Sequence, residues 1–416
     1  MVIYPPETAR FGGAKICLLS IAIAVLATRS SMGAEPTRVG QGDSRNGYAT
    51  RDYRSDSKSL QAAREPVARV ASGGLLGLPP PIALNVEAVA LGRKLFFDRR
   101  LSVNGTISCA MCHVPEQAFT QNELQTPVGV EGRSVRRNAP TLLNVGYRAR
   151  LFHDGRENSL ETQAWSPLLN KREMANPSVG FVLEKIAGLE DYGGWFETAF
   201  DRPATMETVG LALAAYQRSL ASAGSEFDRW YYGGDEKALS QSAIRGFGIF
   251  GASGCVGCHL IGDQAAQFTD DAFHDTGIGY ERTMLAKLDL EQLTLAPGIV
   301  VELSPGTLPL PIPNDLGRYE ITRKPSDRWK FKTPTLRNVA YTAPYMHDGS
   351  LATLADVVRH YANGGVPHPG QDPLILTLEL SPSDVEDLVA FLRSLTGDNL
   401  DALVAEARRT DVGELR

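Results

Sequence analysis

The chain has 416 residues, and at roughly 150 residues per domain it holds two or three domains, each large enough to bury a core. Its 42 Lys and Arg against 48 Asp and Glu leave a net charge of −6, which excludes a nucleic-acid binder, because affinity for phosphate backbones comes mainly from clustered Lys and Arg. Five cysteines in a chain this long are too few for a disulfide scaffold, and four of them fall in two C-x-x-C-H strings.

From the N-terminus, Arg10 and Lys15 precede the apolar run Ile16 to Ala27, and small residues continue to Ala34. The run is about a dozen residues against the ~20 of a membrane span, so 1–34 reads as an export signal, with an uncleaved anchor as the alternative. Cys17 is a small hydrophobe inside it, and no other membrane contact is expected. Residues 35–78 are polar and rich in Arg, Ser, Asp and Gly, and read as a disordered linker. Asn85 is a good N-cap for a helix through Leu91, Leu95 and Phe96. A second helix spans Thr205 to Ser222, with Val209, Leu213, Tyr216 and Leu220 at helical spacing, and a third spans Leu239 to Phe250. Gly233-Gly234 marks a boundary between them. No run of alternating strands stands out, so the expected fold class is mainly α.

An internal repeat organises the rest. Pro140-Thr141-Leu142-Leu143-Asn144-Val145-Gly146-Tyr147 matches Pro334-Thr335-Leu336-Arg337-Asn338-Val339-Ala340-Tyr341, and His153-Asp154-Gly155 matches His347-Asp348-Gly349, both at an offset of 194. The cysteine motifs are offset by 146, so the second half carries 48 extra residues, including the Pro-rich stretch Ser304 to Pro313, which reads as an extended loop. Two similar halves with one motif each point to duplication of a one-haem unit.

Cys109-Ala110-Met111-Cys112-His113 and Cys255-Val256-Gly257-Cys258-His259 are c-type haem attachment strings. Two thiols on one short turn can form thioethers with the two vinyl groups of one porphyrin, and the adjacent His reaches the iron as proximal ligand. A redox dithiol or half a zinc site is the competing reading of a single string. Its occurrence twice in an exported chain favours two covalently bound haem c groups.

The order of these motifs with Arg137-Asn138-Ala139-Pro140-Thr141, Phe152-His153-Asp154-Gly155-Arg156, Gln163-Ala164, Glu173-Met174, Pro334-Thr335-Leu336-Arg337-Asn338-Val339 and Ala343-Pro344-Tyr345-Met346-His347-Asp348-Gly349 resembles the bacterial di-haem cytochrome c peroxidase and MauG superfamily. The resemblance covers about Pro79 to Gly397. It implies two cytochrome c-like haem domains related by internal duplication: an N-terminal peroxidatic domain at 79–234 and a C-terminal electron-transfer domain at 235–400, followed by a tail at 401–416.

The resemblance also implies roles. His113 and His259 become the proximal ligands, and Gln163 and Glu173 the distal residues that handle peroxide at the first haem. A carboxylate there takes a proton from hydrogen peroxide and returns it to the leaving oxygen; the alternative for Glu173 is a solvated helix charge. Classical peroxidases of the family carry a loop His that blocks this haem. The chain has no His between His113 and His153, and its loop reads Gly129-Val130-Glu131-Gly132, so an open first haem is expected. The family position of the second distal ligand, fourteen residues after His347, is Tyr361, as in MauG-like members; His360 as ligand, or Tyr361 as a core aromatic, are the alternatives. Met346 is expected to face the wrong way to serve. Calcium is implied at Asn138, Thr342 and Pro344, all hard oxygen donors; the alternative is that Asn138 caps a turn.

Many family members have Trp where this chain has His153, which leaves His153 either a structural residue or a redox or proton relay. Arg156 is a candidate partner for a haem propionate, whereas His274 and His368 read as structural. Trp165, Trp195, Trp230 and Trp329 are candidates to mediate electron transfer, with core packing the favoured reading of each.

The resulting expectation is a periplasmic di-haem peroxidase acting on hydrogen peroxide. Its electrons would come from a small redox protein, either a cytochrome c or a cupredoxin. One alternative is a MauG-like enzyme that oxidises side chains of a partner protein; another is a non-enzymatic electron carrier. A homodimer is compatible with the resemblance.

Overall fold

Polar caps set where the helices begin. Asn85 accepts a hydrogen bond from the Ala88 amide and starts α1 (Val86–Phe97), which buries Leu91, Leu95 and Phe96 as their spacing predicts. Ser178 caps α2 (Val179–Ala187) and Thr205 caps α3 (Met206–Ser219). The predicted helix to Ser222 stops at Ser219, because the Ser222 amide and carbonyl are both engaged by the Asn144 side chain, at 2.9 and 2.8 Å. Ser240, Thr353 and Ser381 cap α4 (Gln241–Ala252), α5 (Leu354–Ala362) and α6 (Pro382–Arg393), and α7 (Leu400–Ala407) follows.

These elements come from a computed structural model that describes residues 74–285, 292–296, 299–302 and 315–409. The expected signal at 1–34, the linker through 73 and the Pro-rich stretch Ser304 to Pro313 lie outside the described residues. The strand ladders among described residues are two short antiparallel pairs: β1 (Phe273–His274) with β4 (Phe331–Lys332), and β2 (Gln292–Ala296) with β3 (Ile299–Glu302). The second pair falls in the long insert, where the Pro297-Gly298 dipeptide between two apolar runs was its sequence signal.

The duplication is visible in how each half packs. In the first, α1 crosses α3 so closely that a Cβ on Gly92 would lie 1.8 Å from the Ala212 carbonyl oxygen. In the second, α4 crosses α6, and a Cβ on Gly246 would lie 1.9 Å from the Asp387 carbonyl oxygen. Only glycine permits either crossing. Each half has its own apolar core, one around Leu91, Phe96, Leu213 and Tyr216, the other around Phe227, Phe268, Leu388 and Phe391.

Both ends of the domain assignment need correction. The tail expected at 401–416 is, over its described part, helix α7, whose Leu403 and Ala407 are buried in the core of the first half. Arg93 and Glu406 form a buried ion pair there, and Arg408 pairs with Glu116 just past the first haem motif. The linker expected through 78 is structured at its end: Leu78 is buried and Gly77 bridges Ala265.

One buried ion pair ties the Gly77 segment to the second half. Arg337 donates two hydrogen bonds of 2.8 Å to Asp228 and others of 2.6 Å to the carbonyls of Gly77 and Ala266. Arg337 and Asp228 are 1% and 0% exposed.

Candidate active site

The two C-x-x-C-H strings form tight turns in which the His113 amide donates to Cys109 O at 2.9 Å and the His259 amide to Cys255 O at 3.0 Å. None of the four cysteines is in a disulfide. His113 Nδ1 donates to Phe119 O at 3.0 Å and His259 Nδ1 to Phe268 O at 2.8 Å, leaving Nε2 of each ring as the free lone pair. Burial pushes His113 down to about 4 and also lowers His259, so both rings are neutral, the state in which imidazole ligates a metal.

The sequence repeat buttresses these histidines. Thr141 donates to Ala118 O at 2.6 Å, beside the carbonyl that holds His113; Thr335 donates to Gln267 O at 2.8 Å, beside the carbonyl that holds His259. Asn144 and Asn338 both adopt left-handed backbone, at φ 61° and 59°, to close the same turn in each half.

Both motifs open into one cavity of about 1270 Å³, lined by Cys112, His113, Cys255, Cys258 and His259. That exceeds the ~300–1,000 Å³ of a pocket for one small ligand. The residues therefore fit two porphyrins: a thiol pair, a neutral imidazole and an apolar space at each end.

Glu173 and Gln163 lie on the wall of the first half of this cavity. Glu173 is close enough to the first motif that its charge adds to the burial that pushes the Cys112 thiol up to about 12. Burial also pushes the Glu173 carboxyl above its usual range, against the Asn170 amide, which donates to it at 2.7 Å, and the charge of Arg156. The loop Gly129-Val130-Glu131-Gly132 braces the main chain of Glu173, since the Val130 amide donates to the Glu173 backbone carbonyl at 2.9 Å. Sequence reasoning missed Asn170 and this brace.

In the second half, Tyr361 lies in the last turn of α5 on the cavity wall, and His360 does not line it. Burial, reinforced by the neighbouring Cys258 and Cys255, holds the Tyr361 phenol well above its ordinary value. Met346, expected to face away, also reaches the wall, in left-handed backbone at φ 71°.

Between the halves, Asn138 is a junction. Its amide donates to His347 O at 2.8 Å, its carbonyl accepts from His153 Nε2 at 3.0 Å, and its side-chain nitrogen contacts Pro344 O. Asn138 Oδ1 is buried without a partner. Turning that amide over would set Oδ1 against the Pro344 carbonyl, two oxygens that a cation between them would reconcile. Burial, with Arg137 and His347 nearby, lowers His153 to about 3, and burial lowers His347 to about 4. Arg156 is held by Asp154, with bonds of 3.0 and 3.1 Å, and lies 3.4 Å over the Phe152 ring. His274 bridges two carboxylates, Nδ1 to Asp372 at 2.6 Å and Nε2 to Asp270 at 2.9 Å.

Fold and site together define a two-haem c-type cytochrome with a carboxylate facing one of its haem positions. A family profile described as Di-haem cytochrome c peroxidase matches residues 86–237, and one described as Cytochrome c matches 243–396. Methylamine utilization protein MauG of Methylorubrum extorquens is 36% identical over 358 residues, which span 85% of this chain and 90% of that protein. Cytochrome c551 peroxidase of Nitrosomonas europaea is 33% identical, across 83% of this chain and 88% of that protein. A solved MauG-like protein associated with microbial copper homeostasis superposes with a TM-score of 0.63 at 31% identity, covering 78% of this chain and 95% of that one. The chain belongs to the di-haem cytochrome c peroxidase and MauG family, and its two motifs each carry a covalent haem c.

Proposed function

We propose that the protein is a periplasmic peroxidase that reduces hydrogen peroxide at the haem on His113. Electrons would reach it through the haem on His259 from a small cytochrome c or a cupredoxin. The observation that carries this reading is Glu173, a carboxylate with a raised pKa on the cavity wall beside the first motif, with no histidine in the loop that braces it. A pure electron carrier has no use for such a group.

When bound, the haems would together supply the two electrons that reduce peroxide and would be refilled one electron at a time by the donor. The chain's own residues handle the protons. Glu173 accepts one from the near peroxide oxygen and returns it to the far one, which leaves as water. Gln163 orients the peroxide, Asn170 holds the carboxylate, and the Val130 amide holds the Glu173 main chain. In total, peroxide takes two electrons and two protons and gives two waters.

Tyr361 is assigned as the distal ligand of the second haem; an anionic oxygen donor favours the oxidised iron. Tyr361→Phe is expected to abolish the low-spin ferric EPR signal of a His and Tyr ligated haem, and an unchanged signal would rule the assignment out. The same ligand favours a second reading, in which a side chain of a partner protein is the electron source. His153, neutral and hydrogen-bonded to Asn138, is assigned a structural role. The haem domains are assigned to 79–234 and 235–400, with α7 added to the first.

Calcium is assigned to Asn138 Oδ1 and the carbonyls of Thr342 and Pro344. Chelation is expected to lower peroxidase activity and added calcium to restore it, whereas Asn138→Ala should no longer respond to added calcium. The functional test is to mix oxidised holoenzyme with peroxide and then with reduced cytochrome c. Oxidation of two cytochromes per peroxide supports the reading, and inertness to peroxide supports the carrier.

A further inference from the structure

The four tryptophans have different surroundings. Trp165 is buried in the core of the first half and donates to Met206 O at 3.1 Å. Trp195 has the Lys94 ammonium 5.6 Å from its ring centre, which opposes positive charge on the ring. Trp230 packs among Phe227, Tyr231 and Phe247.

Trp329 stands edge-on to Tyr280, at 5.1 Å and 83°, and to His368, at 5.5 Å and 89°. Tyr280 and His368 are themselves stacked at 4.2 Å and 6°. His368 Nε2 lies 3.1 Å from the carboxylate of Asp275, which is 0% exposed. Trp329 and Tyr280 are only half-buried, so this cluster extends from the interior toward solvent.

Its neighbours in the chain, His274 and Phe331, line the cavity that holds the second haem position. Asp275 follows His274, whose ring nitrogen lies within 4.8 Å of Cys258 Sγ. Trp329 precedes β4, where Phe331 pairs with His274 and lines the cavity. The Trp329 indole N–H is buried and has no acceptor. An electron lost from this ring therefore leaves a radical cation that keeps its proton, and the buried Asp275 carboxyl lies behind His368 as the acidic group of the cluster.

We propose that Trp329, with Tyr280 beside it, is an electron relay on the outer side of the C-terminal haem pocket. The proposal rests on the peroxidase reading, because peroxide is the oxidant. For each peroxide reduced to two waters, Trp329 gives one electron inward twice. Each time a reduced one-electron donor such as cytochrome c returns one electron to the ring, so Trp329 ends unchanged and two donors are oxidised. Without a donor, the ring loses two electrons and captures one water oxygen with loss of two protons. The net reaction is Trp plus hydrogen peroxide giving hydroxylated Trp plus water.

The test uses the holoenzyme with a few equivalents of peroxide and no donor, followed by peptide mass spectrometry and a parallel assay of remaining peroxide. Added oxygen is expected on Trp329 or Tyr280. In Trp329→Phe, turnover with reduced cytochrome c is expected to fall about ten-fold, while the first reaction with peroxide keeps its rate; Trp329→Tyr, which keeps an oxidisable ring, should recover much of the loss. Unmodified Trp329 and Tyr280 after peroxide has been consumed would overturn the relay, as would full turnover in Trp329→Phe with an unchanged haem spectrum. Peroxide left unconsumed by the wild type would overturn the peroxidase reading, and the relay with it.

Discussion

Glu173→Gln is expected to slow the reaction of the oxidised protein with peroxide by about 10²–10⁴-fold, the range for loss of a positioned general acid–base. Glutamine keeps the size of the side chain and an oxygen to accept from Asn170, so the cavity stays intact and only proton transfer is lost. The pH dependence supplies a second readout. Burial raises the Glu173 carboxyl above its ordinary value, and the residue can accept a proton only when ionised. The wild-type rate should therefore fall as pH drops through that raised pKa, and this acid limb should be missing in Glu173→Gln. A variant that keeps both the rate and the limb would remove Glu173 from the mechanism.

The second large effect is on stability. Arg337→Met leaves the Asp228 carboxylate buried without its cation, and the expected loss is about 3–5 kcal/mol, measured as a lower denaturation midpoint of the holoprotein. The pair also holds the Gly77 and Ala266 carbonyls, so the N-terminal segment and the second half loosen together. Adding Asp228→Asn to Arg337→Met removes the stranded charge and should recover part of the loss. Equal stability of wild type and Arg337→Met would show that the pair contributes nothing net.

The parts of this molecule that were legible in the sequence are those written in short-range code. Each C-x-x-C-H string carries its own turn, and Asn85, Thr205 and the apolar spacing after them carry their helices. The constant offset of 194 exposed the turn that supports each proximal histidine. What stayed hidden depends on residues far apart in the chain. The pairing of Arg137 with Asp315 joins positions 178 residues apart, and the Arg93 contact with Glu406 joins positions 313 apart. Helix α7 looked like a tail because eight residues are too few to display a clear period, and its partners lie in the opposite half. The bracing of Glu173 by Val130 runs through the main chain, so residue type gives no sign of it. His153, by contrast, was conspicuous in sequence, but the neutral hydrogen bond it makes to Asn138 appears only once the halves are packed together.

The first haem is expected to meet peroxide directly, with Glu173 as its proton carrier and no histidine to displace. Rapid mixing of the fully oxidised holoprotein with hydrogen peroxide, without any reductant, tests it most directly. An immediate change in the haem absorbance is expected, at a rate proportional to peroxide concentration. A protein that stays silent until one haem has first been reduced would contradict it.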